Sequence, residues 1–463
     1  MIALIKALQL MLSLSILVVL HEGGHFLFSK LFHVRVEKFF LFFDPYFHLF
    51  STKDKWFTHL FPKFNKKETE YGIGWLPLGG YVKIAGMIDE SMDTEQMKKP
   101  VQKWEFRAKP AWQRLLIMVG GVLVNFLLAL FIYVMILFCC GEQYIATSDM
   151  TMGFRFNKQA KEIGFKDGDV PLSADGKKIE KWEGSVYRTI SEAHYVTVLR
   201  AGKEITLNMP ANMNLLEMVQ ATPPFLVPFV PCIVDSVLPN SPAQRAGLKA
   251  GSTITTVDDK KMETWTDFDL EMQERAKLLA AGNVDSLKLR TIKLTYTNET
   301  TKDMDTTVVV LTPDLKLGIF KPLLTSFYEP VKRDYGFLAS IPAGISYGIG
   351  VLTGYVSDLK YLFTTDGAKS VGSFITIGSI FPAVWDWVTF WETTAFLSLI
   401  LAFMNILPIP ALDGGHVLFL IAEIILRRPP GEKFMERAQM VGMTLLIALM
   451  VLACYNDIVR FVL

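Results

Sequence analysis

The sequence predicts a polytopic α-helical membrane protein carrying a soluble, β-rich insert. Three observations support this. The chain of 463 residues is 51% hydrophobic, with a mean hydropathy of +0.31. Four apolar runs approach or exceed the ~20 residues a bilayer helix needs. Between the second and third runs lies a long polar region punctuated by turn signals.

The first run, Ala7–Leu20, holds no charge and leads directly into His21-Glu22-Gly23-Gly24-His25. It has the length of a signal peptide, but no small-residue cleavage site follows it, so we expect it to be retained. The second run is about Leu115–Phe138, and the third about Thr393–Ile425, interrupted by prolines. The fourth is about Val441–Leu463, with Asp457 and Arg460 near its end. Tyr335–Phe363 is apolar but Gly-rich and carries Asp358 and Lys360. It reads as an amphipathic or interfacial helix, as does Ser370–Trp391. About four transmembrane helices are therefore expected.

Lysine and arginine set the orientation. The loop 29–111 contains Lys53, Lys55, Lys63, Lys66, Lys67, Lys98, Lys99, Lys103, Arg107 and Lys109. The loop 427–437 contains Arg427, Arg428, Lys433 and Arg437. Both are expected in the cytoplasm, with both termini and the middle region on the opposite face. The net charge of +1 gives no reason to expect nucleic-acid binding. Cys139, Cys140, Cys232 and Cys454 lack CxxC spacing and read as buried thiols, not as a disulfide frame or a zinc knuckle.

The middle region holds two copies of one pattern. The first runs from Lys158 through Gly164 and Gly168 to Asp175-Gly176. The second runs from Ser241 through Gly247 and Gly251 to Asp258-Asp259. Each passes from a short helix into Gly-x-x-x-Gly, a strand and a two-residue turn. These stretches resemble PDZ domains, an α+β fold. The second copy departs at Ser252, where Asp is usual, and at Asp259, where a turn glycine is usual. The chain thus divides into 1–143, 144–220, 221–330 and 331–463. Whether either groove captures peptide stays open.

Two histidines four apart share one helix face and can hold one metal ion. Glu22 is placed to take a proton from a water beside that ion. Charged groups in a spanning segment cost ~2.5–3.5 kcal/mol each, so three ionisable residues within five positions need a shared partner. Gly23 and Gly24 weaken the helix by ~1 kcal/mol each, but small residues let a second helix approach. The third ligand is sought in Asn405-Ile-Leu-Pro-Ile-Pro-Ala-Leu-Asp413-Gly-Gly-His416. Pro408 and Pro410 break the helix, and irregular backbone at membrane depth survives only when buried in protein or lining a cavity. Asp413 is the candidate. His416 is the alternative ligand, with a supporting role the preferred reading for it. Two histidines and one carboxylate leave a fourth tetrahedral position for water.

These motifs together resemble the site-2 protease family of intramembrane zinc metalloproteases, in the sigma-E-regulating type with tandem PDZ domains. The matching residues are His21–His25, Asn405–Gly414, Gly121-Val-Leu-Val-Asn125-Phe-Leu-Leu-Ala129 and Gly72-Ile-Gly-Trp-Leu-Pro-Leu-Gly-Gly-Tyr-Val-Lys83. Their order matches, and the resemblance covers nearly the whole chain. It implies Zn2+ held by His21, His25 and Asp413, with Glu22 catalytic. It also implies cleavage of single-pass membrane proteins in a bacterial inner membrane, such as anti-sigma factors or remnant signal peptides. The insertion 41–67 departs from the family pattern.

Asn405 is suited to hold substrate backbone or an oxyanion. Asn125 is read equally as a substrate contact or as an interhelical hydrogen bond. The stretch 72–87, with Gly79 and Gly80, reads as a β-hairpin or loop. The resemblance makes it a membrane-associated element that receives unwound substrate by strand addition, and a plain turn is the alternative. The β-rich pair is expected either to exclude bulky substrates or to sense peptides. Two rival readings are a catalytically inactive membrane scaffold with PDZ-mediated binding and a metal transporter. Glu22 argues against the scaffold, since a structural metal site needs no free carboxylate there.

Overall fold

The computed structural model describes residues 2–65, 68–77, 79–87, 100–282, 285–298, 303–428 and 430–461. Lys66, Lys67, Lys98 and Lys99 of the charge argument lie outside them, as does Leu78. The chain forms two compact units, residues 1–141 with 334–463, and residues 142–333.

In the first unit, five helices among the described residues are long and apolar enough to cross a membrane. They are Ile2–Leu31, Ala111–Cys140, Phe337–Leu362, Trp387–Ile406 and Lys433–Phe461. About four spans are expected from the sequence, and Phe337–Leu362, read there as interfacial, also has membrane-spanning length and composition. Its glycines lower its hydropathy, but they serve packing. A Cβ at Gly344 would lie 2.6 Å from the Val134 backbone, and one at Gly348 would lie 2.7 Å from Leu130. We label the helices α1 (Ile2–Leu31), α2 (Lys55–Leu60), α3 (Ala111–Cys140), α4 (Phe337–Asp358), α5 (Phe374–Ile380), α6 (Trp387–Ile406), α7 (Asp413–Leu426) and α8 (Glu432–Phe461). The expected run 393–425 is thus two helices, α6 and α7, with a break at 407–412.

Helix α3 is the centre of this unit and packs on α1, α4, α6 and α7. Gly24 of α1 sits against Gly120 of α3, where a Cβ would fall 2.3 Å from the Gly120 carbonyl oxygen. Further along, Leu17 clusters with Leu128, so α1 and α3 run antiparallel. Helix α4 also opposes α3, since Phe337 meets Phe138 and Tyr347 meets Tyr133. Helix α6 opposes α3 as well, through Trp391, Ala395 and Leu399 with Ile132 and Ala129 and Ser398 Oγ donating to the Asn125 carbonyl at 2.7 Å. Two successive long helices with the same sense require the segment between them to double back. That segment ties to both chain ends. Lys6 Nζ donates to the Ser379 carbonyl at 2.8 Å, and Ser373 N donates to Asp457 at 3.0 Å. The start of α1 and the end of α8 therefore share one end of the unit.

A four-stranded sheet follows α1. Its strands are β1 (Val36–Leu41), β2 (Phe43–Ser51), β3 (Glu70–Leu76) and β4 (Tyr81–Ile84), in the order β2-β3-β1-β4. The expected hairpin over 72–87 is corrected. β3 and β4 do not pair with each other, because β1 lies between them, parallel to β3 and antiparallel to β4. Phe40 of β1 is fully buried at that centre. The insertion 41–67 supplies β2 and α2.

The second unit contains two β-rich modules. Each has a four-stranded antiparallel sheet, over 170–208 in the first and 253–310 in the second. Each also has a two-stranded pair, 154–156 with 226–228 and 236–237 with 319–320. Phe225 and Leu226, just past the boundary expected at 220/221, are fully buried in the first core. The turns of the two copies match. Asp175 and Gly176 have φ of 48° and 74°, and Asp258 and Asp259 have 47° and 65°. Asp tolerates this left-handed conformation better than most residues, so Asp259 replaces the glycine. Of the four cysteines only Cys232 is buried, and the expectation of buried thiols fails for the exposed Cys139, Cys140 and Cys454. Those three lie on the outer surfaces of membrane-length helices.

Candidate metal centre and active-site cavity

The helical period brings His21 and His25 together on α1, with Nε2 atoms 3.3 Å apart. Leu407 ends α6 just before Pro408, since the residue before a proline disfavours helix. The chain then folds back through Ala411, with φ of 84°, and restarts as α7 at Asp413. A Cβ at Gly414 would lie 2.0 Å from the Leu407 carbonyl oxygen, so this reversal requires glycine. It delivers Asp413 Oδ2 to 3.1 Å from His21 Nε2 and 3.4 Å from His25 Nε2.

The residues fit a metal ion on three counts. Among the described residues, these three form a group with ligand atoms all within 4.8 Å of one another. An equilateral triangle with sides near 3.3 Å has its corners about 1.9 Å from its centre, close to the about 2.0–2.2 Å of Zn–N and Zn–O bonds. Among the described residues Asp413 Oδ2 is buried without a hydrogen bond, which is costly unless a partner is supplied. His25 Nδ1 lies 2.8 Å from the Ile117 carbonyl oxygen. That acceptor fixes the proton on Nδ1 and leaves Nε2 free to ligate. His416 lines the same cavity but is outside the triangle.

Asn125 is fully buried, with its amide 3.2 Å from His21 Nδ1. With the amide turned so that Oδ1 accepts the Nδ1 proton, His21 Nε2 is freed for an ion. The same half-turn satisfies Oδ1, otherwise without a partner. Asn125 is not among the residues lining the cavity, and its amide faces the His21 imidazole. Asn405 does line it, and its Nδ2 lies 3.3 Å from His21 Nε2.

The cavity has a volume of about 990 Å³ and also receives Glu22, Gly79, Gly80 and β4. Val82 of β4 lines the cavity beside Glu22. Among the described residues β4 is the last strand of its sheet and pairs only with β1, and it lines the cavity. Gly80 allows the sheet to rest on α1, where a Cβ would fall 2.6 Å from Val18 Cγ1. Val18 lies midway between Lys6 and Lys30, about 18 Å of helix from either. The sheet tip therefore reaches the middle of the apolar span. Gly24 is required at the α1–α3 crossing, whereas Gly23 faces open space.

Sequence reasoning missed the Ile117 carbonyl, the Val82 backbone on the cavity wall and Gly120. The backbone groups leave no trace in residue identity. The adjacent Gly120 and Gly121 in an apolar helix were a legible sign of a close helix approach.

A metal triangle, a carboxylate beside it and an open strand edge, within a bundle of membrane-length helices, define a multi-pass membrane metallopeptidase. The chain belongs to peptidase family M50, whose profile it matches over residues 9–449. Members of that family are zinc-dependent. The chain is 24% identical to the regulator of sigma E protease of Haemophilus influenzae, over 97% of each chain. It is 27% identical to the regulator of sigma-E protease RseP of Escherichia coli, again over 97% of each. It is 25% identical to the metalloprotease MmpA of Caulobacter vibrioides, over 99% of this chain and 96% of that one.

Proposed function

We propose that this metalloprotease hydrolyses peptide bonds in or near the transmembrane segments of single-pass membrane proteins, from within a bacterial inner membrane. The observation that carries the reading is the open edge of β4 beside Glu22 and the metal triangle. A helical peptide bond is shielded by its own hydrogen bonds and must be extended before attack. An unwound segment laid along β4 has its main-chain groups paired by the strand, at a depth where unpaired groups are costly.

His21, His25 and Asp413 would hold zinc, which when bound would supply Lewis acidity for activating a water and the scissile carbonyl. Glu22 takes the proton from the attacking water and passes it to the leaving amine. Asn405, at the rim of the triangle, donates to the oxygen that gains charge. Asn125 and the Ile117 carbonyl hold the two imidazoles in their ligating tautomers. Gly79 and Gly80 give the substrate a path along the sheet tip. The β-rich modules, with their PDZ-like pattern, screen substrates on the extracytoplasmic face by excluding those with bulky outer domains. Sequence similarity to sigma-E regulators makes an anti-sigma factor the leading substrate class, with remnant signal peptides second.

The test uses two variants against a reporter membrane peptide. Glu22→Gln should lower kcat by at least about 10²-fold with zinc retained. Val82→Pro removes the amide facing the cavity, a change an edge strand tolerates, and should abolish cleavage with the zinc content unchanged. Full cleavage by Val82→Pro would refute strand addition at β4.

A further inference from the structure

The insertion 41–67 has no part in the reading above, yet it carries a built aromatic surface. Helix α2 exposes Trp56 and Leu60, one turn apart on one face, with exposed Phe61 beside them. The opposite side is fastened. Phe57 packs on Phe50 of β2 at 5.1 Å. Asp54 anchors the start of the helix, accepting from Ser51 N at 2.9 Å and pairing with His48 at 2.8 Å. The exposed face is thus held rigidly outward. On β2 itself Tyr46, Phe47 and Leu49 are also exposed, with Phe47 stacked on Trp75.

The sheet register gives the depth of these side chains. Phe39 and Tyr71, partners across β1 and β3, both contact Phe26 of α1. Gly80 contacts Val18, two turns deeper in the span. β2 pairs Phe43 with Leu76 at the deep end and Ser51 with Gly72 at the shallow end. Helix α2 follows Ser51, so it lies near the level of Phe26, a turn before Lys30, where the apolar span ends. Its neighbours Lys53, Lys55 and Lys63 are exposed. Exposed apolar residues at depth, then Trp and Phe, then lysines is the gradient of a bilayer boundary.

We propose that the insertion is an interfacial foot. Trp56, Leu60 and Phe61 seat in the headgroup–acyl boundary of the leaflet at the C-terminal end of α1, and the lysines meet anionic headgroups. The foot covers the β2 side of the sheet with lipid. Pro45 and the irregular ladder between Phe43 and His48 leave little regular edge there for another strand. Peptide then has access only to β4.

The test reads lipid contact, not cleavage, so it stands apart from the proposed activity. Full-length protein with Cys139, Cys140 and Cys454 replaced by Ser is labelled with a fluorophore at Trp56→Cys or Leu60→Cys, and at exposed Lys177→Cys as reference. It is placed in nanodiscs of acyl-brominated phosphatidylcholine, with and without phosphatidylglycerol. Retained zinc content verifies folding of each variant. Quenching at positions 56 and 60 should exceed that at 177 by at least about threefold and rise with phosphatidylglycerol. Lys53→Gln/Lys55→Gln/Lys63→Gln should abolish that rise and leave quenching in phosphatidylcholine unchanged. Equal quenching at 56 and 177 would overturn the proposal. So would a label at 56 shielded from water yet unquenched, because a second copy or another protein would then cover the face.

Discussion

His21 and Asp413, from opposite ends of the chain, meet with Nε2 and Oδ2 3.1 Å apart. The contact depends on the helix break at Leu407–Leu412 and on Gly414, which turn the chain back so that Asp413 reaches α1. Asp413→Ala therefore leaves two ligands on one helix face. We expect zinc to fall well below stoichiometric after dialysis and cleavage to drop by at least about 10³-fold. Chelation of the wild type should give the same loss, reversed by added zinc. Metal analysis beside reporter cleavage checks both.

The glycines of the first motif should behave oppositely. A Cβ at Gly24 meets backbone at 2.3 Å, whereas Gly23 has nothing within 4 Å. Gly23→Ala should be neutral or stabilising by up to about 1 kcal/mol. Gly24→Ala should cost about 1–3 kcal/mol through overpacking. Gly121→Ala should add loss of zinc, since its Cβ would fall 2.5 Å from His25 Nε2. Thermal unfolding in detergent with metal analysis separates the three.

The two asparagines near His21 should separate by readout. Asn125→Ala removes the group that orients the imidazole, and zinc affinity should fall about 10–100-fold. Asn405→Ala should leave zinc affinity intact and lower kcat by about 10²-fold. Competition with a zinc chelator distinguishes them. Equal zinc affinities for the two variants would remove the orienting role.

The two β-rich modules solve one structural problem with different charges. Asp169, buried, pairs with Arg200 at 2.7 Å and accepts Lys166 N at 2.8 Å. At the equivalent place Ser252 accepts Lys249 N at 3.0 Å and donates to Asn298 Oδ1 at 3.3 Å. Both members of the pair are neutral in the second module. Ser252→Asp should cost about 3–5 kcal/mol, because it buries a charge without a partner. Adding Asn298→Arg should recover most of that loss. Hydrogen exchange of strand 253–257 reports it.

Burial pushes the Cys232 thiol up to about 12 from an ordinary value of 9.0. The folded state holds the proton more tightly than the unfolded chain. Stability from this group is therefore intact below about 9 and is lost as pH rises toward about 12. Alkylation at pH 8 should modify Cys139, Cys140 and Cys454 and spare Cys232 until the second module unfolds. Peptide mass spectrometry along a denaturant series checks this.

Much of the architecture was legible because its causes are local. A 3.6-residue period puts His21 and His25 on one face whatever surrounds them. A run without charge such as Ala7–Leu20 has few solvents other than lipid. Asp175-Gly176 sets its turn through two residues' own φ preferences. Where the local cue misled, the cause was packing. The glycines of 337–358 looked like weak hydropathy and are contact surfaces on α3. The 72–87 stretch looked like a hairpin, because nothing in its residues announces that β1 lies between its two strands.

The sequence by itself determined most of the membrane-length helices, the metal-binding types of side chain and the peptidase chemistry they permit. Tertiary structure alone decided that Asp413 closes the triangle, that Asn125 faces an imidazole rather than the cavity, and that the free edge beside Glu22 belongs to β4. Helical periodicity and turn preference act over a few residues. The meeting of α1, α3, α7 and β4 depends on shape complementarity between surfaces far apart in the chain, which no short window of sequence contains.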